Sequence, residues 1–192
     1  MKSFRILALA AALMAAPALA QSAPQQQAPK PTDEKEFTDW AVRCYAVKTP
    51  TPCEMTSFRV VKKTGQRLLG VSIRYAAVRD AYVLVISVPL GVAFSNGLII
   101  NTDTYKSPVL QFRYCAQTGC FIEVLMPGDV ISSIAKATKA KVDIVPVGGK
   151  PMSLQMSLKG FSDARSAMVE LAKSKASGGA SAPAAPAEPA AQ

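Results

Sequence analysis

Pro108-Val-Leu-Gln-Phe-Arg-Tyr-Cys-Ala-Gln-Thr-Gly-Cys-Phe-Ile-Glu-Val-Leu-Met126 decides the fold class. Two runs rich in β-branched and aromatic residues flank a short connection that contains Gly119 and is bracketed by Cys115 and Cys120. The pattern predicts a β-hairpin closed by a disulfide. Gly119 suits the left-handed backbone such a turn needs, because it has no Cβ to clash. The hairpin speaks for strands and for an oxidising compartment; it names no reaction.

Upstream, strand-like runs follow one another closely. Asp39 to Val47 carries the only tryptophan, Trp40, and Cys53 to Val61 follows the Thr49-Pro-Thr-Pro52 turn. Leu68 to Val78 alternates most clearly, with Val71, Ile73 and Tyr75 on one side and Ser72 and Arg74 on the other. Tyr82 to Val88 is apolar enough to be buried on both faces. Asn96-Gly97 is a two-residue hairpin signal that would join Val92–Phe94 to Leu98–Ile100. Downstream, Gly128-Asp129 is placed to cap a short helix with Ile131, Ile134 and Ala135 on one face. Val142 to Val147 and Met152 to Leu158 supply two more strands. A helix from about Asp163 to Lys173 closes the series, with Ser162 as its expected N-cap. Many short strands with turn residues between them make a sandwich or barrel, an all-β fold with a short helix and a C-terminal helix. The antibody pattern of Cys, then Trp, then Cys is absent, since Trp40 precedes Cys44.

Both ends of the 192-residue chain differ in composition from this body. Residues 1–20 combine Lys2 and Arg5, an apolar run from Ile6 to Ala16 and Ala18-Leu19-Ala20, the three parts of a secretory signal. The run is too short to span a bilayer comfortably, so no membrane span is expected after processing before Gln21. Residues 21–36 lack apolar periodicity and read as a disordered linker. Residues 174–192, rich in Ala, Pro, Gly and Ser, read as an extended tail. The folded domain is therefore expected over residues 37–173.

Export sets how the four cysteines are read. In an oxidising compartment they make two disulfides, and four cysteines allow three pairings. Chain entropy favours long-range bridges, at about 4–5 kcal/mol against about 2–3 for short loops. Geometry decides the other way: a tight hairpin already holds Cys115 and Cys120 at bridging distance, which leaves Cys44 for Cys53. Zinc would need closer pairs, and thiol–disulfide catalysis a Cys-X-X-Cys motif at a helix start, so neither a metal nor a cofactor is expected.

The chain contains no histidine. That removes Ser-His-Asp and Cys-His nucleophile systems and the commonest general base. Paired carboxylates could still hydrolyse glycosides. Asp80, Asp103 and Asp129 fall at turn or cap positions, where Asp serves the backbone. Glu123 alone lies mid-strand among apolar neighbours, and one acid is not a pair, so no catalytic residue is expected. The formal charge of +9 favours anionic partners such as lipid head groups, acidic polysaccharide or a host-cell surface. Lys62, Lys63 and Arg67 around the Thr64-Gly65 turn, and Lys136, Lys139 and Lys141 after the short helix, are the candidate anion-binding residues. Solubilising loop charges have the same appearance. Nucleic acid is not expected, because aromatic and basic residues do not interleave.

Set in order, several of these residues resemble the invasion-associated locus B proteins of Gram-negative bacteria. The likeness runs through Phe37-Thr-Asp-Trp40 leading to Cys44, Cys53-Glu-Met55, Val88-Pro-Leu-Gly-Val92 and Asn96-Gly-Leu98. It continues through Phe112 before Cys115, Gly119-Cys120, and Ser157-Leu-Lys-Gly-Phe161 followed by Ala164. The resemblance implies an immunoglobulin-like β-sandwich, export to the periplasm or cell surface, and a link with host-cell entry in pathogenic members. It brings no catalytic residues. The expectation is an exported non-enzymatic binding or structural module. The alternatives are an envelope polysaccharide enzyme working through carboxylates, and a periplasmic partner or chaperone of outer-envelope proteins.

Overall fold

A computed structural model describes residues 29–178 apart from 48 and 78. The expected signal (1–20), most of the expected linker and residues 179–192 of the expected tail lie outside the described residues. Among the described residues ten strands, all in antiparallel pairs, form two sheets. The larger has seven: β1 (Pro31–Phe37), β2 (Trp40–Tyr45), β3 (Cys53–Val60), β4 (Arg67–Ala76), β5 (Ala81–Val88), β7 (Tyr114–Ala116) and β8 (Gly119–Met126), in the order β1-β2-β3-β4-β5-β8-β7. The smaller runs β10-β9-β6, from β6 (Leu98–Thr102), β9 (Ala140–Ile144) and β10 (Met152–Met156). Helix α1 (Gly128–Lys136) precedes β9, and α2 (Phe161–Gly178) follows β10.

Alternation builds the core. Val42, Met55, Val71, Ile73, Leu84, Ile86 and Ile122 point inward from the large sheet, and Ile100, Val142 and Leu154 from the small one. Ala164, Met168 and Ala172 on α2 are fully buried, and α2 packs against β1 to β4. Trp40 meets Phe161 edge-to-face at 5.1 Å. The all-β sandwich expected from the chain is the architecture found.

Cys44 faces Cys53 across β2 and β3, and Cys115 faces Cys120 across β7 and β8; each pair is bridged. The hairpin is shorter on its first arm than expected: the Arg113 amide still donates to the Phe121 carbonyl of β8 at 2.8 Å, but Pro108 to Phe112 do not pair with that strand. Leu110 instead exchanges backbone hydrogen bonds with Leu98, at 2.8 and 2.9 Å.

Three expectations need correction. The linker expected over residues 21–36 gives way to strand β1 at Pro31. An exposed edge strand needs no apolar alternation, and this one is held by its ladder and by Arg43, 2.6 Å from Glu34 and 3.6 Å from Glu36. The tail expected from 174 begins instead as the end of α2, where Lys175 reaches Asp33 of β1 at 2.7 Å. Asn96-Gly97 does not close a hairpin: Phe94–Asn96 make a 3-10 turn, and β6 pairs with distant β9. Its partner across β6–β9 outweighs the local turn signal.

The helix caps differ as well. Pro127, with extended backbone, precedes α1, and Asp129 lies in its first turn without a side-chain cap bond. Ser162 lies inside α2, its hydroxyl donating to the Ala135 carbonyl at 3.3 Å. Gly160, at φ +79°, starts the helix instead.

Candidate functional site

The site arises from a mismatch in strand length. β2 begins only at Trp40, and its outermost pairing with β3 at that end is Ala41 opposite Thr56. β3 continues to Val60 with only β4 beside it. Tyr45 donates to the Pro52 carbonyl at 2.9 Å, so alternate residues Pro52, Glu54 and Thr56 turn their backbone groups toward β2. Continuing that alternation, Phe58 and Val60 present N–H and C=O groups on a side that β2 does not reach. Across the gap lies β10, paired with β9 on one edge only.

The two sheets are tied at one end of this gap. Trp40 Nε1 donates to the Ser157 carbonyl at 3.0 Å, the Asp39 amide donates to the Lys159 carbonyl at 3.4 Å, and the Ser157 hydroxyl donates to the Asp39 carboxylate. Beyond the tie the sheets part into two cavities of about 490 and 570 Å³ that share Arg59 and Gln155. The inner one is lined by Asp39, Thr138, Lys139, Ser157 and Lys159, the outer one by Phe58, Val60, Lys62, Leu68, Met152 and Leu154.

Arg59, Lys62, Lys139 and Lys159 thus line one cleft, and none of them has an ion-pair partner among the described residues. Asp39, the one acid on the lining, accepts from Ser157. Lys139 is set in place through its neighbour. Asp103 accepts from the Thr138 hydroxyl at 2.6 Å and from the Thr138 amide at 3.0 Å. Those bonds, the hydroxyl first, hold the Asp103 carboxyl below the ordinary carboxylate range.

Of the six candidate anion-binding residues, the fold brings Lys62 and Lys139 to this cleft. Lys63 stays in the β3–β4 turn, and Lys136 ends α1. Arg67 lies over the Phe58 ring at 4.0 Å, and Lys141 pairs with Asp143 at 3.6 Å. Sequence reasoning missed Arg59 and Lys159. A signal for Arg59 existed: it continues the inward series Cys53, Met55, Ser57, a charge where alternation calls for an apolar side chain.

The acids are arranged differently. On the outer face of the large sheet Glu123 lies 3.7 Å from Arg74, and Glu54 accepts from Ser72 at 2.8 Å and Tyr45 at 3.2 Å. Their strands stand three places apart, so their backbones are roughly 14 Å apart. No cluster of acids and cysteines among the described residues could hold a metal ion. No described helix is long and apolar enough to cross a membrane.

The family model for invasion associated locus B protein matches residues 40–169, from Trp40 in the tie to α2. The chain belongs to that family. Two invasion protein B homologues of Brucella abortus, from strain 2308 and from biovar 1 strain 9-941, are each 27% identical over 174 residues. Those alignments cover 90% of this chain and 100% of each relative. The fold is that of the crystal structure of invasion associated protein B from Bartonella henselae. That match has a TM-score of 0.64 at 19% identity and covers 74% of this chain and 99% of the other. The expected resemblance is thus established, and the matched span takes in most of the cleft: Arg59, Lys62, Lys139 and Lys159 all fall within it.

Proposed function

We propose that this family member is an exported, non-catalytic binding module of the cell envelope that takes an anionic partner into the cleft between its sheets. The observation that carries the reading is the convergence of Arg59, Lys62, Lys139 and Lys159, from three separate stretches of chain, on one lining with no ion-pair partner among the described residues. All four are solvent-exposed, and like charges gathered on one concave lining raise the local positive potential, which an entering anion relieves. Two bridged cysteine pairs support passage through an oxidising compartment. The names of the relatives, invasion protein B homologues and invasion associated protein B, support a role in invasion.

A carboxylate enzyme is not favoured. Glycoside chemistry places its two acids about 5–10 Å apart in a cleft. Glu54 and Glu123 instead flank Arg74 on an open sheet face.

The test has two parts. Cell fractionation is expected to find the protein outside the cytoplasm with both disulfides formed. Binding to anionic vesicles, acidic polysaccharide and acidic polypeptide is then measured as salt rises from about 0.05 to about 0.5 M. At least one probe is expected to bind, to weaken steeply with salt, and to be lost in the Arg59→Glu, Lys139→Glu double variant. Salt-insensitive binding, or binding the double variant keeps, would overturn the cleft as the contact surface.

A further inference from the structure

Among the described strands, β1 and β10 are both sheet edges, and they are built in opposite ways. β1 reads Pro-Thr-Asp-Glu-Lys-Glu-Phe, with a proline at its start and four charges, the usual guard against another strand pairing there. β10 reads Met-Ser-Leu-Gln-Met and has neither charge nor proline. An unguarded edge is a template for strand addition. Facing it, Phe58 and Val60 turn their own backbone groups into the same gap.

From these features, and resting on the reading of the cleft given above, we propose that the anionic partner is an extended acidic polypeptide segment added as a strand along β10. Five residues of β10 span roughly 17 Å, enough to pair with a segment of about that length. Successive side chains of an added strand point to opposite sides. One set meets the apolar lining of Leu68, Met152 and Leu154. The other carries the carboxylates, with Lys62 in the outer cavity, Arg59 shared by both cavities, and Lys139 and Lys159 in the inner one.

This combination selects among anions. A lipid head group or an acidic sugar satisfies the cations but leaves a row of strand donors and acceptors unmet. A peptide backbone satisfies both at once. Self-pairing through β10 is opposed by charge, because a second copy would bring a like set of cations against the first.

The probe is an end-capped seven-residue peptide alternating Glu and Val, measured by fluorescence anisotropy against the full exported chain with both disulfides formed. Its control carries the same residues with alternate backbone nitrogens methylated, which keeps the charge and blocks strand pairing. The unmodified peptide is expected to bind at least tenfold more tightly than the methylated one. Amides of residues 152–156 are expected to gain protection from hydrogen exchange when it binds. The Arg59→Glu, Lys139→Glu variant is expected to lose it while keeping its near-ultraviolet circular dichroism.

Equal binding of the two peptides would overturn strand addition and leave an anion-binding cleft standing. Anionic phosphatidylglycerol vesicles or an acidic polysaccharide binding through the cleft, with the peptide inert, would overturn the polypeptide as partner. If nothing anionic binds, both readings fall, and Arg59 is an inward charge that guards the sheet end.

Discussion

Trp40 Nε1 donates to the carbonyl of Ser157, 117 residues further along the chain, at 3.0 Å. The bond joins the first residue of β2 to the residue that follows β10, and so sets where the two sheets stop touching and the cleft begins. The same indole packs against Phe161 at the start of α2. One side chain therefore ties three layers.

Replacing Trp40 by Phe keeps much of the ring and deletes the donor. The part-buried Ser157 carbonyl is left without its partner, at a cost of about 1–3 kcal/mol. Urea unfolding is expected to show a lower midpoint at unchanged slope. A loss below about 0.5 kcal/mol, the usual range for surface changes, would show that the tie does not hold the sheets.

The two disulfides close short loops, and each is expected to contribute about 2–3 kcal/mol by restricting the unfolded chain. Their accessibility differs more than their energy. Cys44 and Cys53 are fully buried, whereas Cys115 is exposed on the edge strand β7. Mild reductant followed by alkylation is expected to label Cys115 and Cys120 in the folded protein, and Cys44 and Cys53 only after unfolding. Simultaneous labelling of all four at native conditions would contradict this order.

Legibility in the sequence followed how local each determinant is. The Cys115–Cys120 hairpin and the alternation of β4 are short-range features, and both stand where the chain suggests. Elements that exist only through distant partners were hidden. β1 lacks an apolar stripe because it lies at an edge, and the last turn of α2 continues past Lys173 where Lys175 finds Asp33. Each lends the other an anchor, so a reading that called one a linker also cut the other short. The cleft was half legible. Lys62 and Lys139 carry their charge openly, but nothing local says that residues so far apart line one gap.

Alkaline pH probes the other end of the sheet. The Tyr75 hydroxyl donates to Asp80 at 2.6 Å, and that bond, together with burial, pushes the phenol up to about 12. A raised folded value means its stabilisation is complete below the unfolded value near 10 and is lost as pH climbs toward 12. Thermal unfolding is expected to fall off over that window beyond what other groups cause. Tyr75→Phe should remove that component and cost about 1 kcal/mol at neutral pH through the lost bond. An identical alkaline profile in wild type and variant would rule out Tyr75 as its source.

Gly160 is the point where β10's extension turns into α2. Its φ of +79° disfavours any L side chain, and a Cβ there would lie 2.2 Å from the Phe37 carbonyl oxygen. Backbone, unlike a flexible side chain, cannot move aside without shifting β1. Gly160→Ala is expected to destabilise by about 1–3 kcal/mol and to loosen the packing of Phe161 on Trp40. Tryptophan fluorescence shifted to the red before global unfolding would report that loosening. Unchanged fluorescence with wild-type stability would refute the close approach.

Asp103 carries Lys139 to the cleft through Thr138, and acid should release it. A carboxyl held low by hydrogen bonds contributes while ionised. That contribution is present above the ordinary carboxylate value and is lost as pH falls through the lowered one. The Thr138 amide resonance is therefore expected to titrate with a midpoint below that of a free aspartate. Asp103→Asn should abolish the titration and weaken binding of an acidic probe at neutral pH, with global stability little changed for so exposed a group. A midpoint at or above the ordinary value would break the link between Asp103 and the loop. A normal titration with probe binding unaffected by Asp103→Asn would instead place Lys139 outside the contact.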